Sequence, residues 1–141
     1  MPVTVEWDND DKTIVWMEMV GTWTWEEAYA GSERGYALLD SVAYEVGVII
    51  DFSRGLSLPP NAITHARGMI QRRHPRTGLT VFVGANTAFT SLWNIFSRVY
   101  TLFAQKQNSV FAPTVDEARA ILAARYSRPA LTAEPNDEQP V

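Results

Sequence analysis

Between Val46 and Phe52 the chain reads Val-Gly-Val-Ile-Ile-Asp-Phe, an almost unbroken apolar run. A run of this kind is expected of a central strand covered on both faces, and it commits the chain to a sheet with layers on either side. Leu79 to Gly84 repeats the pattern in shorter form, and Ser109 to Ala112 reads as a last short strand. Upstream, Val3 to Trp7 alternate strictly, the period-two pattern of a strand with one buried face. The polar cluster Asp8-Asn9-Asp10-Asp11-Lys12 has turn chemistry, and Thr13 to Val20 supplies the second strand of a hairpin, closed by Gly21. With Asn9 to Lys12 as the connecting residues, Trp7 stands opposite Ile14 and Trp16 opposite Val5, which makes the two tryptophans diagonal neighbours.

Four helices are predicted between and after these strands. Thr24-Trp25-Glu26-Glu27 is a capping box that opens a helix to about Ser41, with Trp25, Ala28, Tyr29, Tyr36 and Leu39 on its apolar side. Gly31 and Gly35 each cost that helix about 1 kcal/mol relative to alanine, which implies close packing on a neighbour or a weaker helix. Pro60 suits a first helical turn, and Pro75 ends that helix at His74. Asn86 caps a long helix reaching about Gln105. Its apolar residues span about 180°, wider than the roughly 100° stripe that a core requires. Phe89, Trp93, Phe96, Tyr100 and Phe103 on it are therefore candidates for an interface with a second chain or for an apolar pocket. Thr114-Val115-Asp116-Glu117 is a second capping box, opening a helix with Ala118, Ile121 and Leu122 inward.

The element order β-β-α-β-α-β-α-β-α predicts an α/β fold. An opening hairpin is followed by alternating strands and helices, giving a mixed four- to five-stranded sheet, parallel in its later strands, packed with four helices. At 141 residues and 46% apolar content there is material for one core, so residues 1–126 form a single domain. Residues 127–141, with three prolines and three acids, read as a disordered tail. The absence of cysteine excludes a disulfide framework, a thiolate nucleophile and a cysteine metal site. Apolar runs fall far short of the roughly 18 residues of a membrane span, and with no signal peptide the expected location is the cytoplasm.

Catalytic constellations are weakly supported. Asp51, Ser53 and His74 supply the residue types of a Ser-His-Asp triad, but there is no nucleophile elbow, and His74 is explained more simply at a helix terminus. Asp8, Asp10 and Asp11 read as a solvated hairpin tip, without the glycine and terminal glutamate of a calcium loop. His65 and His74, nine apart on one predicted helix, face opposite ways and cannot share a metal. Neither dinucleotide nor triphosphate motifs occur, so no cofactor is implied.

The strand ending Val48-Ile49-Ile50-Asp51-Phe52-Ser53, the Pro-Pro helix start, the segment Arg72-Arg73-His74-Pro75-Arg76-Thr77-Gly78 and the strand ending Val83-Gly84-Ala85 resemble the STAS-like proteins. Within these the chain is most similar to the bacterial branch of the sporulation anti-sigma-factor antagonist, over roughly residues 3–126. The resemblance implies a non-enzymatic regulatory module that works by protein contacts or small-ligand binding. Antagonists of that branch carry a phosphorylatable serine at the helix start after the third strand. Here that turn falls at Pro59-Pro60-Asn61-Ala62, where no hydroxyl residue stands, so the family's phosphoserine switch does not carry over.

Charge is segregated along the chain. Residues 1–51 hold eleven acids and two basic residues, a net of −9, whereas residues 52–128 hold ten basic residues and two acids, a net of +8. The tail adds −3, for −4 overall. Ten of the twelve basic residues are arginine, suited to bidentate recognition of carboxylate or phosphate. Three readings compete: pairing of the basic middle with the acidic start, within or between chains; an anion or lipid headgroup held by Arg67, Arg72, Arg73, His74 and Arg76; and nucleic acid, disfavoured for want of a reading motif. Four tryptophans in the first 25 residues fit core packing or, with the arginines, a pocket for an anionic amphiphile. The expectation is a binding module acting through a protein partner or self-association, with a carrier of a lipid-like molecule as the alternative.

Overall fold

The computed structural model describes residues 2–55, 60–61, 64–65, 68, 74–84 and 109–126. They form β1 (Val3–Trp7), β2 (Ile14–Gly21), α1 (Trp25–Asp40), β3 (Val46–Gly55), β4 (Thr77–Val83), β5 (Ser109–Ala112) and α2 (Val115–Tyr126). The five strands make one sheet in chain order, antiparallel between β1 and β2 and parallel thereafter. This is the mixed sheet expected from the pattern. Among the described residues there are two helices. The helix predicted over 60–74 lies largely outside them, although Thr64, His65 and Gly68 are helical, and the one predicted over 87–105 lies wholly outside.

Two residues of β3, Val46 and Ile49, show how the two helices divide the sheet. Val46 is buried with Leu39 of α1 and Val15, whereas Ile49 is buried with Ala118 and Leu122 of α2. On the α2 face, Ile14, Ile49, Val81, Val83 and Ala112 form the main core. On the α1 face, Val3, Met17, Met19, Trp23 and Ala28 form a second cluster. β3 is apolar on both faces because both are covered, and it runs to Gly55, beyond the expected end at Phe52.

The hairpin corrects the expected register. Asn9 Oδ1 accepts from Thr13 N (3.0 Å) and Ile14 N (3.3 Å), while Asn9 Nδ2 donates to Thr13 Oγ1 (2.7 Å). Lys12 adopts a left-handed backbone at φ 58°. Thr13 is thereby drawn into the turn, and the strands slip by one residue from the expected pairing. Trp7 pairs with Val15 and Trp16 with Glu6. Because side chains alternate, the slip puts the tryptophans on opposite faces. Trp7 packs towards α1 and Trp16 towards α2, so they are not neighbours.

Both capping boxes begin helices where expected. Thr24 Oγ1 accepts from Glu27 N (3.1 Å) and Glu27 Oε1 accepts from Thr24 N (2.9 Å); Thr114 Oγ1 accepts from Glu117 N (3.1 Å). In α2, Ala118 and Leu122 are inward, but Ile121 is 37% exposed, contrary to its expected place. The stripe that α2 seats on the sheet is filled by Ala118 and Leu122, which leaves Ile121 at its margin.

Candidate functional site

The carboxyl ends of parallel strands are the usual location for a site in an open α/β sheet. Here the end of β3 places Asp51 and Ser53, two apart, on one face. Asp51 is 1% exposed. One of its oxygens accepts from Trp16 Nε1 (3.1 Å), and the other accepts from Ser53 N (2.9 Å) and Ser53 Oγ (2.6 Å). In register beside it on β2, Glu18 is buried and accepts from Arg54 Nη1 at 3.2 Å. The serine hydroxyl is thus a donor to a carboxylate that two further groups already orient.

His74 is not part of this group. It precedes β4, at the end of the parallel sheet opposite to Asp51. Its Nδ1 accepts from Arg76 N (3.0 Å), which leaves the proton on Nε2 to donate to Asp40 Oδ1 (2.7 Å). Both ring nitrogens therefore have partners, and the imidazole ties the last residue of α1 to the turn entering β4. The triad residue types do not meet, and His74 acts as a tether there.

The same geometry bears on the expected anion site. Arg67, Arg72 and Arg73 lie outside the described residues, as do Phe89, Trp93, Phe96, Tyr100 and Phe103. Of the two described members, His74 is engaged by Asp40, and Arg76 contributes its backbone: its N–H to His74, and its carbonyl to Val46 N (2.9 Å).

Ion pairs among the described residues join the acidic start to the basic remainder. Arg119 Nε and Nη2 hold both oxygens of Asp8 at 2.9 and 2.8 Å, with the Asp8 side chain only 5% exposed. The Asp8 hydrogen bond is the main cause that raises the Arg119 pKa, and the guanidinium also lies 5.8 Å from the Trp16 ring. Arg54 pairs with Glu18, His74 with Asp40 and Arg125 with Glu45. Internal pairing is the reading of the charge segregation that these contacts follow.

The early tryptophans divide by depth. Trp23 is 2% exposed, set edge-on to Trp25 at 4.9 Å and against Phe52 at 5.8 Å. Its Nε1 has no acceptor among the described residues. Trp25 stacks on His65 at 5.0 Å and donates from Nε1 to Pro60 O (2.7 Å), and Tyr29 Oη lies 2.8 Å from His65 Nδ1. The cluster seats Pro60 and His65 against α1. Sequence reasoning placed His65 on a predicted helix but had no signal for this contact, since residues 36 positions apart share no local pattern. Among the described residues no three His, Asp or Glu side chains converge as a metal site, and no helix is long and apolar enough to cross a membrane.

No family model and no curated protein matches the sequence. The fold does match. A crystal structure of an anti-sigma factor antagonist from Mycobacterium paratuberculosis superposes with a TM-score of 0.56, over 85% of this chain and 92% of that one, at 19% identity. The STAS-like resemblance carried by the element order is borne out at the level of the fold.

Proposed function

We propose that this chain is a regulatory binding module that acts by protein–protein contact and carries out no catalytic step. The observation that carries this reading is the internal use of the chemistry-bearing groups named above among the described residues. Asp51 is held by Trp16 and Ser53, Glu18 by Arg54, Asp8 by Arg119 and His74 by Asp40. A carboxylate or imidazole so engaged serves as a structural element, because taking a substrate proton would require giving up that bond. The likeness in fold to an anti-sigma factor antagonist supports a regulatory role. With no hydroxyl residue at Pro59-Pro60-Asn61-Ala62, that role operates without a phosphoserine at this turn.

Native mass spectrometry of the protein purified from its own host tests the reading. A second copy or a protein partner in defined stoichiometry is the expected result. A recurrent lipid-sized mass on a monomer overturns it in favour of a carrier. The apolar positions Phe89, Trp93, Phe96, Tyr100 and Phe103 supply the proposed self-association surface. Light scattering at micromolar concentration should show an oligomer that Trp93→Asp dissociates; a monomer indifferent to Trp93→Asp removes this surface.

A further inference from the structure

β1 is an edge of the sheet, and the hairpin determines which of its backbone groups face outward. Asp8 N donates to Ile14 O (2.8 Å) and Val20 N to Pro2 O (2.7 Å), so the even-numbered residues of this strand form the hydrogen-bonded pairs with β2. Val3, Val5 and Trp7 therefore point their N–H and C=O groups away from the sheet. The first of them shows it directly: Val3 O accepts from Arg34 Nη2 at 2.8 Å, a side chain reaching round from α1. Among the described residues nothing takes the outward groups of Val5 and Trp7.

This open stretch has a distinct chemistry. The side chains of Val5 and Trp7 turn towards α1, while Thr4 and Glu6 are exposed on the other face. Asp10 at the hairpin tip is exposed as well, and Lys12 is the one basic residue before Arg34. Edges are ordinarily guarded by proline, charge or a covering group. Here Pro2 and the Arg34 contact guard the end at Val3, and Glu6 marks the remainder as acidic.

We propose that the edge of β1 over Val5 to Trp7 accepts an extended basic segment of a partner protein as an additional strand, with a lysine or arginine of that segment beside Glu6. Main-chain bonds to Val5 and Trp7 give the register, and the opposite charge on the exposed face gives the preference. A second copy of β1 fits this edge less well, because antiparallel pairing over Val5 to Trp7 sets the exposed Glu6 directly against its own copy. The proposal rests on the binding-module reading and gives that module a surface.

The test uses the full chain, isotope-labelled, and an end-capped ten-residue peptide alternating valine and lysine. Expected are shift changes and slowed hydrogen exchange at the Val5 and Trp7 amides, and no such effect when the valines are N-methylated. Glu6→Lys, at an exposed position that preserves the fold, should weaken the lysine peptide several-fold and favour its glutamate counterpart. Unchanged Val5 and Trp7 amides at millimolar peptide, equal binding of the glutamate peptide to the unsubstituted chain, or dimerisation through this edge would each overturn the proposal. The native mass spectrum decides the parent reading separately: a protein partner found there with a silent β1 edge removes this surface and leaves the module.

Discussion

Gly31 and Gly35 look alike in the sequence, one turn apart on the same helix, and their surroundings are different. A Cβ at position 31 would stand 2.7 Å from Cγ1 of Val3 and 3.2 Å from the Met17 methyl, whereas at position 35 it would meet Val5 at 3.6 Å, an ordinary contact. Val3 is 1% exposed and β-branched, so it cannot turn aside. Gly31→Ala should therefore destabilise by about 1–3 kcal/mol through overpacking. Gly35→Ala should stabilise by up to about 1 kcal/mol through helix propensity. Urea midpoints of the two variants check the opposite signs. Asp51 is a similar case. Its place at a strand end was legible from the run it interrupts, but its partner Trp16, 35 positions away, was not, because a strand pattern names faces and leaves neighbours open.

At the scale of elements, caps and strand periods were legible because both are written within four or five residues. The hairpin shows the limit: its turn residues were identified, yet one residue of loop length changed the face of every side chain assigned across it. The end of α2 depends on similarly distant contacts. Tyr126 Oη donates to Glu45 and accepts from Leu79 N (2.8 Å), which closes α2 over the start of β4. Burial first, and then the bond to Glu45, raise the Tyr126 pKa above its ordinary value of 10.0. The folded state thus keeps this proton more tightly than the unfolded chain. The associated stability is complete below about pH 10 and is lost as pH rises through the folded-state value. Urea midpoints between pH 8 and 11 should fall more steeply for the unsubstituted protein than for Tyr126→Phe; parallel curves would contradict this.

At the scale of the whole molecule, ion pairs among the described residues cross-link the acidic start of the chain to its basic remainder. Their contributions should differ with depth. Arg119→Ala strands the Asp8 carboxylate, whose side chain is 5% exposed, and should cost about 2 kcal/mol. Arg125→Ala breaks a 3.9 Å pair that is half exposed on both sides and should change stability by less than about 0.5 kcal/mol. Thermal unfolding of both variants in low and moderate salt checks the order. The order of strands and helices, the capped helix starts, the parallel run of the later strands and the polarity of charge are written in the chain itself, since each is set by a short period or by composition. Which acid meets which base, which tryptophan faces which helix and which edge groups stay open come from long-range packing alone. Asp8 and Arg119 are 111 positions apart, and their meeting depends on how packed layers bring distant segments together, which no local pattern encodes.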